Sequence, residues 1–167
     1  IIPDNDSSFN FLVSILYTQL FQQLFFSADH IHGGALPIPV HFLMDEFANI
    51  GEVPEFPSKL STMRKYNISA TIVLQDIAQI ESMYKDDWKT LVGNCSSIVF
   101  LGTQEPNTLK YFSDMLGKMT VTSSSRGVSK GGKSGSNKNF QQTSREVMQA
   151  DELGRMDSSL SIVFTQN

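Results

Sequence analysis

Four short, continuous apolar runs recur along the chain, at 39–44 (PVHFLM), 68–74 (ISATIVL), 97–101 (SIVFL) and 160–164 (LSIVF), and they constrain its fold more than any other feature. Each has the length of a strand and reads as buried on both faces, as strands of a parallel sheet are. Helical signals fill the intervals: 55–66 after Pro54, 77–84, 88–93, and 107–116 closed by Gly117. Buried strands that alternate with helices predict an α/β fold, a mostly parallel sheet flanked by helices on both sides. Ile1 and Ile2 read as the end of one more strand.

The densest apolar run, 9–26, has about the length a bilayer requires. Asn10, Ser14, Gln19, Gln22 and Gln23 interrupt it, and Ser14, Thr18 and Gln22 recur at four-residue spacing as on one helix face, so the expectation is a buried amphipathic helix. With 167 residues, 40% of them hydrophobic, the chain can build one domain with a sizeable core. A single cysteine, Cys95, excludes an internal disulfide and agrees with a reducing compartment. The opening IIPDNDSS has neither an initiating Met nor a basic region, which reads as a piece of a longer protein without a signal peptide.

The string GVSKGGKSG at 127–135 matches the P-loop pattern literally, with Gly127, Gly132, Lys133 and Ser134 in the fixed places. A P-loop needs a buried strand before it and a helix after it, so that backbone N–H groups and the helix dipole converge on phosphate. Here KMTVTSSSR precedes and GSNKNFQQTS follows, and neither fits. The stretch 123–139, almost wholly Ser, Gly, Lys and Asn, reads instead as a mobile loop. It lies in a segment, 115–145, that has no acidic residue and six basic ones (Lys118, Arg126, Lys130, Lys133, Lys138 and Arg145), in a chain of net charge −4. Such a loop is either a solvated linker or a contact for nucleic-acid phosphates.

Chemistry concentrates after the first of the four runs, where VHFLM ends in Asp45-Glu46. Open α/β sheets bind ligands at the carboxyl edge of their strands. In a Walker B site the Asp holds Mg²⁺ while the following Glu polarises the attacking water; two acids are needed because the metal occupies one. The alternative is a solvated acidic turn. The next run ends in Gln75, an amide able to bond a phosphate oxygen and a neighbouring carboxylate, or simply a turn residue. Between them Arg64 and Lys65 close a helix, where cations complement the dipole. His30, His32, His41 and Cys95 fit no recurrent metal-ligand spacing; Asp151-Glu152 reads as the first turn of a helix, and Trp88 as core packing.

The run HFLMDEFANIGEVPEFPSKLSTMRKYNISATIVLQDIAQI resembles the Walker B region of type IV secretion coupling proteins, the TraG/TraD-type hexameric ATPases of conjugation. IPDNDSSFNFLVSILYTQLF, LGTQEPNTLKYFSDMLGKMTVT, and QADELGRM followed by SLSIVF are similar to further segments of that family, so the resemblance spans nearly the whole chain. It implies that residues 1–167 are the C-terminal portion of a RecA-like P-loop motor domain lacking the Walker A segment. It further implies Asp45 as the Mg²⁺ ligand, Glu46 as the catalytic carboxylate, Gln75 as the γ-phosphate sensor, and Arg64 as the finger that reaches a neighbouring subunit's nucleotide. ATP and Mg²⁺ are then cofactors of the full-length protein, a homo-hexamer at the cytoplasmic face of the bacterial inner membrane. Its partners are DNA, relaxosome proteins and other secretion components, and the chain alone is expected to bind no nucleotide and to be inactive. The alternatives are a relaxosome-docking module without catalytic role, or a motor fragment of another DNA-translocase branch.

Overall fold

The computed structural model describes residues 10–128 and 136–166, with side chains described outside 124–140. Strand β1 (Val40–Met44) and strand β2 (Ile68–Ile72) fall on the first two apolar runs and pair in parallel, from Val40 opposite Ile68 to Met44 opposite Ile72. Between them α2 (Phe56–Met63) starts with Pro57 in its first turn, where a missing N–H costs nothing, and tightens into a 3₁₀ turn at Arg64–Tyr66. Asn67 then takes a left-handed conformation, φ 62°, and its amide donates to the Leu36 carbonyl, so the chain turns directly into β2. After β2 come α3 (Ile77–Tyr84) and α4 (Trp88–Gly93), with the boundaries the sequence predicts.

These elements, with α1 (Asn10–His30), form one compact unit that comprises residues up to 99 and from 163 onward. Its core is aromatic. Phe21 of α1 lies 4.6 Å from Phe42 and 5.9 Å from Phe56, ring centre to ring centre, and Phe47 lies 5.0 Å from Phe56. All three of Phe21, Phe47 and Phe56 are fully buried, each worth about 1.5–3 kcal/mol of transfer free energy. Val53, Met63, Ile80, Leu91 and Trp88 complete the packing.

α1 departs from the amphipathic helix expected. Phe21 and Ala28 are buried on one side, while Phe11, Leu12, Ile15, Leu16, Leu20 and Phe26 are exposed on the other, where they are mixed with exposed Gln19, Gln22 and Gln23. By length and composition it could also cross a membrane. Of the three polar residues at four-residue spacing, Gln22 is exposed, while Ser14 and Thr18 bond backbone carbonyls of Glu52 and Ser14 respectively. The Ser14 and Thr18 hydroxyls are satisfied by main chain and only part-exposed.

The second unit covers residues 100–162. α5 (Pro106–Leu116) begins on Glu105, whose carboxylate accepts the N–H groups of Asn107 and Thr108, and ends at Gly117, φ 76°. Leu109 and Phe112 point inward, and the Phe112 ring packs at a tilt against Phe100, 4.5 Å between ring centres. Then β4 (Lys118–Val128) and β5 (Ser136–Glu146) form an antiparallel ladder, and the short α6 (Ala150–Gly154) follows, with Asp151 and Glu152 in its first turn as expected.

Two expectations need correction. Within the stretch 123–139, read as a loop, the described residues 123–128 and 136–139 are paired in the β4–β5 ladder, out to Val128 opposite Ser136. Ladder bonds are made by the backbone, so a Ser/Asn-rich sequence can form them without burying side chains. The P-loop-like string lies mostly at 129–135, outside the described residues. Nor do the described strands form one mostly parallel sheet buried on both faces. They form three separate pairs, β1–β2, β3 (Ser97–Phe100) with β6 (Ile162–Thr165), and β4–β5. In the parallel pair Met44 and Ile68 are buried, whereas His41, Leu43, Ser69 and Thr71 are exposed, because only one face is covered among the described residues.

Candidate functional site

Where β1 ends, the chain is held to β2 by two further bonds: Val73 N–H donates to the Met44 carbonyl, and Phe47 N–H donates to the Val73 carbonyl, both at 3.0 Å. Phe47 drops its ring into the aromatic core. Asp45 and Glu46 are therefore clamped between the end of a strand and a buried anchor, at the carboxyl edge of the parallel pair. Glu46 adopts the left-handed conformation, φ 46° and ψ 53°, which costs a residue with a side chain about 1–2 kcal/mol. The clamp holds it there, and the Glu46 N–H donates to Asp45 Oδ1 at 3.0 Å.

Gln75 stands at the same edge, three residues beyond the last β2 residue. Its side-chain Nε2 donates to Glu46 Oε1 at 2.7 Å, bridging the two strand ends, and both side chains are exposed. Three of the residues that the sequence singles out, Asp45, Glu46 and Gln75, thus form one group at one edge. Two exposed carboxylates suit Mg²⁺, which keeps several waters and takes only one or two carboxylates beside phosphate oxygens. Among the described residues there is no cluster of three or more His, Cys, Asp or Glu able to cage a metal.

Arg64 stands apart from that group. It caps α2 and opens the 3₁₀ turn, exposed, with no salt bridge among the described residues. Lys65, the adjacent cation, lies over the Tyr66 ring at 4.9 Å, so the two cations differ in surroundings although both are exposed. Two of the basic residues from the acid-free segment are ion-paired at its flanks, Lys118 with Glu146 and Arg145 with Glu152.

Two features escape a residue-by-residue reading of the sequence. One is the loop below the site: Tyr84 is buried with its hydroxyl against Val53, accepting the Val53 N–H at 3.1 Å and donating to its carbonyl at 3.4 Å. Burial raises its pKa to about 12, opposed by the Val53 backbone bond and assisted by the nearby Glu52 charge. The other is Gln79, whose Oε1 accepts the Gln75 N–H while its own N–H is capped by Asp76 Oδ1. The signal for this was present: Asp76 followed three residues later by a Gln is the signature of a helix N-terminus.

A family model described as the TraM recognition site of TraD and TraG matches residues 39–158. The conjugal transfer protein TraG of Rhizobium radiobacter is 31% identical over 127 residues, which are 74% of this chain and 20% of that protein. The chain thus spans about a fifth of the length of the curated relatives it matches. Among solved structures, the unbound bacterial conjugative coupling protein TrwBdeltaN70 superposes with a TM-score of 0.68 at 20% identity, over 95% of this chain and 36% of that one. The plasmid coupling protein TrwB in complex with ADP and Mg²⁺ gives 0.65 at 16% identity, over 95% and 35%. At these identities the likeness is one of fold.

Proposed function

The chain belongs to the TraG/TraD family of type IV coupling proteins, and from that premise we propose that its Asp45–Glu46–Gln75 edge is the metal and water side of a nucleotide pocket in a conjugative ATPase. The observation that carries this reading is the 2.7 Å bond from Gln75 Nε2 to Glu46 Oε1, which joins two strand ends at the edge where α/β sheets bind ligands.

Asp45 would hold Mg²⁺, which when bound neutralises charge on the phosphates. Glu46 orients the attacking water and takes its proton. One Gln75 N–H holds Glu46 in line; its second N–H, without a partner among the described residues, can meet a phosphate oxygen, so loss of the γ-phosphate is felt at Glu46. Arg64, exposed at the end of α2, serves the nucleotide of the adjacent subunit in a homo-hexameric ring. ATP turnover then moves DNA delivered by relaxosome proteins toward a secretion channel at the cytoplasmic face of the inner membrane. The 167-residue chain by itself supplies one wall of that pocket and is expected to turn over no ATP.

A second reading is favoured by the matching family's description as a TraM recognition site: the same chain docks a relaxosome protein without entering catalysis. Glu46→Gln separates the two. In a protein of the relatives' length carrying this chain, the substitution should lower ATP turnover by about a hundredfold or more, while partner binding stays unchanged. Wild-type turnover in that variant would leave docking as the function.

A further inference from the structure

The loop between β2 and α3 contains a set of bonds that its role as a helix start does not require. Gln79 is the third residue of α3. Its backbone N–H donates to Asp76 Oδ1 at 3.0 Å, the ordinary N-cap bond. In a capping box the side chain at this position reaches back to the N–H of the capping residue itself. Here it reaches one residue further, and Gln79 Oε1 accepts the N–H of Gln75 at 3.1 Å. Gln75 is thereby held at both ends, its main chain by Gln79 and its side-chain amide by Glu46 at 2.7 Å.

That arrangement has a physical consequence. An exposed glutamine on an unrestrained loop samples many rotamers, and a single bond to an exposed carboxylate does little to select one. Fixing the Gln75 backbone removes the loop's freedom first, so the amide starts from one position. We infer that Gln79 is a positioning residue: it sets the Gln75 amide against Glu46 and makes the Glu46 carboxylate respond to the first turn of α3. The functional weight of this rests on the nucleotide reading above; the coupling itself is a property of the chain.

Amide NMR on the 167-residue chain tests it. Gln79→Leu, which keeps bulk and removes the acceptor, should speed exchange of the Gln75 backbone N–H by about fivefold. It should also move the Gln75 side-chain NH₂ resonances to the positions they take in Glu46→Ala, where no partner exists. Gln79→Glu keeps an acceptor oxygen and should restore both signals. If Gln79→Leu also disturbs Val53 and Tyr84, Gln79→Ala is measured in its place. Side-chain NH₂ signals that stay at their wild-type positions while the backbone N–H speeds up would reduce Gln79 to a local cap and overturn the inference, as would Gln79→Glu failing to restore them. Failure of the nucleotide reading is seen elsewhere, in undiminished turnover by Glu46→Gln, and leaves the NMR result standing.

Discussion

Glu46 is unusual less for its charge than for its backbone. A glutamate in the left-handed region is held there by its neighbours, by Phe47 buried in the core and by the Phe47 N–H on the Val73 carbonyl. The carboxylate is thus aimed by residues that never touch it. Tyr84 has a comparable role deeper in the core, because Val53 is fully buried and has the Tyr84 hydroxyl as its hydrogen-bond partner. Tyr84→Phe should destabilise the chain by about 1–3 kcal/mol in denaturant titration, the cost of a buried N–H left unpaired. The folded state raises the Tyr84 pKa from 10.0 to about 12. Its contribution is therefore complete below about pH 10 and is lost as pH rises toward about 12, since the unfolded chain releases the proton first. Melting temperature should fall across that window in the wild type and fall less in Tyr84→Phe.

At the level of elements, the helices predicted at 77–84 and 88–93 lie at those positions, and the strands 40–44 and 68–72 fall inside the apolar runs 39–44 and 68–74. Local signals suffice there because caps and periodic apolar contacts lie within a few residues of one another. α5 shows the same logic with a charge. The Thr108 side chain first, and then the N–H groups of Asn107 and Thr108, hold the Glu105 carboxyl below its usual range. A lowered folded pKa stabilises above the ordinary glutamate value and loses that effect as pH falls below it. Stability followed by circular dichroism should therefore fall as pH is lowered through the carboxylate range, and Glu105→Gln should be less stable near neutral pH while losing less on acidification. The β4–β5 ladder was not legible in the same way, because its bonds come from the backbone and its Ser, Thr and Gln residues carry no apolar pattern.

For the whole molecule, hydrolysis under the proposed function is a property of an assembly, because Arg64 has no contact with Asp45, Glu46 or Gln75 among the described hydrogen bonds and ion pairs. In a protein of the relatives' length, Arg64→Ala should lower turnover by about a thousandfold, as loss of an arginine finger does. Mixing it with the Glu46→Gln protein should recover measurable activity, since a mixed ring contains interfaces with both groups intact. No recovery would place the finger within the subunit or dismiss it. By itself the sequence determined the helices and the apolar strands, the adjacent acids at a strand end and the family, all of which are written in residues close together along the chain or in a recognisable string. Only the tertiary structure decided that Gln75 reaches Glu46 across 29 residues, that Glu46 is left-handed, that Gln79 stands behind both, and that the parallel pair is covered on one face. Those depend on which strand edges meet and which side chains fill the space between them, and such distances in space leave no periodic trace along a chain.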